Sequence, residues 1–126
     1  MASFRRSTSV ALRTKTHFWD DVVILRCVGR LVAGSETITF RQRVEKLLLA
    51  KRKVVINLAH VDYVDSTGVA TLVYFLTLNS DSETVPRLVS SRPRLTELLR
   101  RTRLDTAITV YANEEDAVAS FPKPRS

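Results

Sequence analysis

The segment KVVINL, residues 53–58, is almost continuously apolar and contains three consecutive β-branched side chains. β-Branched residues favour strands, and a strand without polar alternation is typical of one that is covered on both faces. Such strands occur mainly in parallel sheets that have helices packed against them. This run therefore predicts an α/β fold, and it restricts the possible folds more than any other feature of the chain.

The N-terminal third of the chain predicts a hairpin followed by a helix. The segments TSVALRTKT and DDVVILRCV are expected to be strands, with a turn at HFWDD between them. After Gly29 and Gly34, the segment SETITFRQRVEKLLLAKRK has apolar residues near helical spacing, and we expect Ser35 to be its N-cap. The residues expected to face the core are Ile38, Val44, Leu47 and Leu48.

The rest of the chain alternates helices with strands. A second helix is expected from Ser66 to about Leu78, and it is followed by a short strand, VPRLV. A helix in SRPRLTELLRRTRL, a last strand in AITVY and a last helix in NEEDAVASF complete the pattern, with Asn113 as the final N-cap. The apolar residues expected to point inward from the third helix are Leu95, Leu98 and Leu99.

Alternation of this kind predicts a mostly parallel sheet. We expect one α/β domain over residues 8–121, with a mixed sheet of four to five strands and about four helices packed mainly on one face. Residues 1–7 are interpreted as a basic N-terminal extension and residues 122–126 as a C-terminal tail. A chain of 126 residues with 44% hydrophobic residues can bury one core.

Composition argues against a membrane or secreted protein. The longest apolar run lies within residues 68–78, well short of the ~20 residues that cross a bilayer. The N-terminus lacks an apolar stretch of signal-peptide length, so we expect a cytoplasmic protein without a membrane span. The single cysteine, Cys27, is expected to be a small core residue.

The net charge of +7 is concentrated locally. Residues 85–104 contain six arginines and one acidic residue, Glu97. One interpretation is a surface that binds phosphate-rich partners, and the other, which we favour, is the solvated side of a helix and its flanks. No aromatic residues alternate with these arginines to stack on bases, so we expect no direct nucleic-acid binding. The arginines are Arg87, Arg92, Arg94, Arg100, Arg101 and Arg103.

A small hydroxyl cluster, Asp65-Ser66-Thr67-Gly68, stands at the start of the second helix. The first turn of a helix has free N–H groups and favours negative charge. Asp65 or Ser66 could simply be the N-cap, with Gly68 allowing close approach of the backbone. The helix that follows has more apolar residues than the ~100° stripe needed to cover one side, so part of its surface could face a partner.

Catalysis and metal binding find little support in the sequence. A serine nucleophile on a Gly-x-Ser-x-Gly turn needs glycine two residues before the serine, where this chain has Val64. His60, expected in a loop, and His17 provide too few ligands for a metal site. The three glycines of the chain form no phosphate-binding loop. We therefore expect no enzyme activity, no metal and no cofactor.

The order of elements, the segment VVINLAHVDYVDSTGVATL and the C-terminal segment TELLRRTRLDTAITVYANEEDAVASF resemble a STAS domain of the anti-sigma factor antagonist family. The most specific part is VDSTGVATL, which is similar to the family's Asp-Ser-Ser/Thr-Gly followed by apolar residues. This chain departs from the pattern at Ala70, where many members have a second glycine, and in its glycine-free segment SDSETVPR.

The resemblance implies a phosphorylation switch for a bacterial transcription regulator. Its phosphorylation site would be Ser66, with Thr67 as the second candidate. The unphosphorylated form would bind an anti-sigma factor of the serine/threonine kinase type, which itself binds ATP, and a sigma factor would be released. A phosphatase is a further partner that this scheme allows. The partner-binding residues would be Asp65, Ser66, Thr67, Gly68 and Val69, and the turn at residues 29–34 could add to that surface.

A second hypothesis remains open. STAS-like domains also occur as constitutive subunits of lipid-transport ATPase complexes and of stress-signalling assemblies. In such a subunit the apolar surface of the second helix would contact a neighbour, and Ser66 would be only a helix cap without phosphorylation.

Overall fold

The structure, a computed structural model, describes residues 11–78, 83–101 and 110–122. Five strands are present in these ranges: β1 (Arg13–Trp19), β2 (Val22–Leu31), β3 (Lys53–Val64), β4 (Arg87–Val89) and β5 (Val110–Tyr111). The four helices are α1 (Ser35–Leu49), α2 (Ser66–Leu78), α3 (Pro93–Arg101) and α4 (Glu114–Ala119). The predicted extension at residues 1–7, most of the predicted tail, the side chains of Leu98 and Leu99, Arg103 and the beginning of the strand AITVY lie outside the described residues or side chains.

The five strands form one sheet in the order β1-β2-β3-β4-β5. β1 pairs with β2 in antiparallel fashion, while every later pair is parallel. The predicted mixed, mostly parallel sheet is therefore confirmed. β3 lies at the centre, and Val54, Val55 and Ile56 are fully buried, as the apolar run KVVINL predicted.

Three helices cover one face of the sheet and one short helix covers part of the other. The larger core contains residues of α1, α2 and α3 together with alternate residues of β2 and β3. The smaller core lies beneath α4, between its Ala117 and the following Phe121 on one side and the other face of β2, β3 and β4 on the other. This arrangement confirms helices packed mainly on one face. No helix in the described ranges is long and apolar enough to cross a lipid bilayer.

The hairpin is tighter than the sequence predicted. Residues 17–19, expected in the turn, continue β1, so the turn contains only Asp20 and Asp21. Asp20 adopts a positive φ of 55°, which aspartate tolerates better than most residues. β2 continues past Gly29 to Leu31, so the first half of the predicted turn at residues 29–34 is strand.

Helix α1 begins where expected but is capped and oriented differently. Gly34 is the N-cap, and no side chain accepts a capping hydrogen bond, so the prediction for Ser35 is wrong. Ile38 is exposed, whereas Thr37 and Phe40 are buried together with Val44 and Leu48. The stripe of buried residues on α1 therefore includes Thr37 and leaves out its neighbour Ile38. Phe40, on the same stripe, packs edge to face on Phe75 of α2.

The arginine-rich segment is not a uniform solvated surface. Arg87 is buried in β4, where its guanidinium donates to the carbonyl of Val85 at 2.6 Å and to the hydroxyl of Ser120 at 2.9 Å. The same group lies 3.9 Å from the ring centroid of Phe121. Our solvated-surface interpretation is therefore wrong for Arg87, although Arg92 and Arg94 are exposed.

Candidate functional site

The hydroxyl cluster lies at the junction of β3 and α2. β3 ends at Val64, Asp65 separates the two elements, and α2 begins at Ser66. The side chains of Ser66 and Thr67 are both exposed, and no acidic residue lies in the first turn of this 13-residue helix. The predicted helix boundaries are confirmed, and the two hydroxyl-bearing side chains are exposed to solvent.

Asp65 is the N-cap of α2. Its Oδ1 accepts a hydrogen bond from the backbone N–H of Gly68 at 2.8 Å. Its Oδ2 accepts one from the backbone N–H of Ala33 at 3.1 Å, in the loop between β2 and α1. The hydrogen bond from the Gly68 N–H, and to a smaller extent that from the Ala33 N–H, holds the pKa of the Asp65 carboxyl below its ordinary value. Asp65 thus ties two loops together at the carboxyl end of the parallel strands.

Gly68 allows two segments of this chain, α2 and the end of β2, to approach each other closely. It is buried, and a Cβ built on it would lie 2.2 Å from the carbonyl oxygen of Leu31 and 2.7 Å from Cγ1 of Val64. Real Cβ atoms do not come so near a backbone oxygen. The absence of a side chain is therefore what lets α2 pack against the end of β2. Gly68 is therefore buried beneath the exposed Ser66 and Thr67 and does not itself form exposed surface.

Much of the apolar surplus of α2 is used inside the molecule. Leu72, Phe75 and Leu76 are buried, while Val69 is half-buried. The other half-buried apolar residues are Val73, Tyr74 and Leu78. The hydroxyl of Tyr74 donates to the carboxylate of Glu45 on α1. Two helices and a sheet cover this helix, which explains why its apolar stripe is wider than usual.

A groove with a volume of about 390 Å³ lies between α1 and α2, and Thr67 is one of its lining residues. Exposed Ile38 and Ala70 contribute apolar surface, and the guanidinium of Arg41 lies 5.5 Å from the ring centroid of Tyr74. The sequence analysis did not select Arg41, because a lone arginine on a helix carries no signal of its own. The groove is lined by Ala33, Gly34, Thr37, Ile38, Arg41, Thr67, Ala70, Thr71 and Tyr74.

The histidines and the cysteine, which are the other candidates for catalysis or metal binding, do not belong to the hydroxyl cluster. His60 is an exposed residue of β3 and not part of a loop, because β3 is six residues longer than KVVINL. Within the described ranges, no group of three histidine, cysteine or acidic side chains could hold a metal ion. Cys27 is buried, as predicted, and burial raises the pKa of its thiol to about 12, which makes it unreactive.

The sequence profile of the STAS domain matches residues 13–117, which is most of the chain. The chain belongs to the STAS domain family. This confirms the resemblance noted from VDSTGVATL, and the observed sheet order and helices are those of a STAS domain. Among curated proteins, no sequence matches this STAS domain.

Several solved structures share its fold. An anti-sigma factor antagonist from Mycobacterium paratuberculosis is 19% identical with a TM-score of 0.74, over 93% of this chain and 97% of that one. The phosphorylated Bacillus cell fate determinant SpoIIAA is 16% identical with a TM-score of 0.66, over 86% and 97%. The murine anion transporter Slc26a9 is 17% identical with a TM-score of 0.59, over 79% of this chain but 17% of the transporter. At sequence identities below 20%, these structural similarities establish the fold of this chain.

Proposed function

We propose that this STAS domain is an anti-sigma factor antagonist, a binding module that is controlled by phosphorylation and has no catalytic activity of its own. Unphosphorylated, it binds an anti-sigma factor of the serine/threonine kinase type and thereby releases a sigma factor. The partner holds the ATP and phosphorylates Ser66, which ends the binding, and a phosphatase reverses the modification. The site of action is the cytoplasm.

The observation that carries the proposal is the exposed hydroxyl of Ser66 at the first position of α2. A phosphate there would lie at the positive end of the helix dipole, where negative charge stabilises the helix. The oxygens of neighbouring Asp65 already accept hydrogen bonds from Gly68 and Ala33. A phosphate at Ser66 is therefore compatible with the folded domain.

The same phosphate would oppose docking. It adds roughly −1.5 to −2 charges to a surface formed by neutral hydroxyl groups, and a partner surface fitted to those groups would meet repulsion and a desolvation cost. Thr67, exposed beside Ser66 and lining the α1–α2 groove, is the second candidate for modification. In this proposal Ser66, Thr67 and half-buried Val69 contact the partner, while Asp65 and Gly68 position them.

The test is a comparison of two baits, Ser66→Ala and Ser66→Asp, in lysate of the source organism, with captured proteins identified by mass spectrometry. Thr77→Asp, which adds the same charge at the exposed far end of α2, is the matched control. We expect a kinase-type ATPase to be retained by Ser66→Ala and Thr77→Asp and lost from Ser66→Asp. Retention of that ATPase by all three baits would contradict the switch.

A second candidate is a constitutive STAS subunit of a lipid-transport ATPase or stress-signalling assembly. The solved transporter shows this fold as a small part of a membrane protein chain, and Asp65 and Gly68 have packing roles that need no phosphorylation. In that case a transporter ATPase or a large assembly would be captured equally by the Ala and Asp baits.

A further inference from the structure

Among the described residues, α4 and the residues beside it cover only part of the second face of the sheet. Helix α4 has six residues, and the small core beneath it reaches β2 only at Val22 and Ile24. Beyond Ile24, towards the carboxyl end of β2, the residues on this face are at least partly exposed. We call this region the open face; it comprises Arg13, Lys15, Arg26, Val28, Arg30, His60 and Tyr63.

Strand register places these side chains together. Arg26 contacts Glu114 of α4, which fixes the side of the sheet on which Arg26 lies. Alternate residues of a strand share a face, so Val28 and Arg30 lie on that side as well. Paired residues also share a face. Val28 pairs with Arg13 on β1 and with His60 on β3, Arg26 pairs with Lys15, and Arg30 pairs with Tyr63.

The open face is rich in positive charge that has few partners. Arg26 is bound by Glu114 at 2.8 Å. The side chains of Arg13 and Lys15 make no hydrogen bond or ion pair with any residue in the described ranges. Arg30 lies over the ring of Tyr63, 5.2 Å from its centroid, and has no carboxylate partner among the described side chains. Two cations of β1 and two of β2 thus lie side by side on adjacent strands, and among them only Arg26 is paired with a carboxylate.

An apolar centre lies among these cations. Val28 is 45% exposed and Tyr63 is 53% exposed, although both are large apolar side chains. The register between β2 and β3 shifts on both sides of the Val28–Gly29 pairs. Such bulges re-aim side chains, and here they set His60 beside Val28 and Tyr63 beside Arg30. The open face therefore combines apolar contact with surrounding positive charge.

We propose that the open face binds an acidic segment of a partner polypeptide, with carboxylates beside Arg13, Lys15 and Arg30 and an apolar side chain on Val28. This surface lies on the side of the sheet opposite α2, and its binding does not depend on phosphorylation. Complementary charge would speed encounter and select the partner, and the apolar contact would add affinity.

The shape of the molecule favours a polypeptide over a membrane. A helix with its side chains is about 10 Å thick, so α4 stands well above the neighbouring open face. A flat bilayer surface would meet α4 before it reached Arg13 or Val28. A single extended or helical segment, by contrast, fits beside α4.

Aromatic content favours a polypeptide over nucleic acid. Single-stranded nucleic acids are bound with the help of aromatic rings that stack on successive bases. Here Tyr63 is the one phenylalanine, tyrosine or tryptophan among the open-face residues, and Arg30 already lies over its ring.

The experiment measures binding of the full chain to a fluorescein-labelled twelve-residue peptide of alternating glutamate and leucine by fluorescence anisotropy. The comparison probes are the same peptide with lysine replacing glutamate, a twelve-nucleotide single-stranded DNA, and phosphatidylserine vesicles. We expect the acidic peptide to bind best, with affinity falling as salt is raised.

Two double variants locate the contact. Arg13→Glu with Lys15→Glu reverses charge on the open face, and Lys46→Glu with Arg52→Glu makes the same change at exposed residues elsewhere. We expect the first pair, and also Val28→Glu, to weaken peptide binding about tenfold or more, and the control pair to change it less than about threefold. Equal loss in both pairs, tighter binding of DNA or vesicles, or no peptide binding at about 1 mM would overturn the proposal.

Discussion

Asp65 is the residue on which the start of α2 depends, because its two carboxylate oxygens accept hydrogen bonds from a backbone N–H in the first turn of α2 and from one in the β2–α1 loop. Loss of a helix N-cap costs about 1–2 kcal/mol. We predict that Asp65→Ala lowers the free energy of unfolding by that amount, measured by urea denaturation. Asp62→Ala, at an exposed neighbouring carboxylate whose contact with Arg92 is long at 3.8 Å, should change it by less than about 0.5 kcal/mol. Equal effects of the two variants would contradict this role.

The low pKa of Asp65 predicts a pH dependence with a defined sign. A carboxyl group with a lower pKa in the folded state stabilises the fold fully above its unfolded-state pKa, about 3.9, and this contribution is lost as pH falls through the folded-state pKa. The stability difference between the wild type and Asp65→Asn should therefore be constant above about pH 5 and shrink below about pH 4. Urea titrations over this range test it, and a difference that persists unchanged at about pH 3 would be the contrary result.

Gly68 provides a second test at single-residue scale. In an exposed helix, replacing glycine with alanine usually stabilises by up to about 1 kcal/mol. Here the new Cβ would collide with the carbonyl oxygen of Leu31, a backbone atom that cannot rotate away. We predict that Gly68→Ala destabilises by at least about 2 kcal/mol, while the control Ala70→Gly, at an exposed position of the same helix, costs about 1 kcal/mol. A more stable Gly68→Ala protein would refute the packing role.

At the scale of elements, Arg87 joins β4 to the end of α4. Its guanidinium donates to Val85 and to both the hydroxyl and the carbonyl of Ser120, and it stacks on Phe121. A lysine has no planar fork of donors and cannot reproduce this set. We predict that Arg87→Lys lowers the free energy of unfolding by about 1–3 kcal/mol, whereas Arg94→Lys on exposed α3 leaves it within about 0.5 kcal/mol. Indistinguishable chemical denaturation curves for the two variants would disprove this connection.

The elements that could be predicted are those with local signals. The apolar run KVVINL, the wide apolar stripe after Ser66 and the cap at Asn113 each depend on residues near in sequence, and each is confirmed. Asn113 accepts a hydrogen bond from the N–H of Asp116 at 2.8 Å, as a capping residue should. Local physical chemistry was sufficient for these elements.

The predictions that failed concern residues whose surroundings are formed by residues distant in the sequence. Arg87 belongs to a basic run, and only the approach of Ser120 and Phe121 makes it a buried residue. Gly29 suggested a turn, but pairing with β3 keeps it within β2 at a φ of 109° that glycine allows. The second role of Asp65, at Ala33, joins residues 32 positions apart and has no signature in either segment.

At the scale of the whole molecule, the two faces of the sheet differ in cover. Three helices enclose one face and position the hydroxyl cluster at its carboxyl edge, while α4 leaves part of the other face open. The proposed switch and the proposed acidic-segment surface lie on different parts of the molecule. Charge reversal at Arg13 and Lys15 should therefore leave binding of the kinase-type partner within about threefold of the wild type, measured by titration calorimetry. A loss as large as that caused by Ser66→Asp would show that the two surfaces are one.

The central claim is that charge at Ser66 changes binding without changing the fold. The most direct measurement compares wild type and Ser66→Asp by circular dichroism with thermal melting and by titration against the kinase-type ATPase captured by Ser66→Ala. We predict matching spectra, melting temperatures within about 3 °C, and binding weakened at least tenfold by Ser66→Asp. Equal binding of the two proteins, or a loss of binding that accompanies unfolding, would contradict the account.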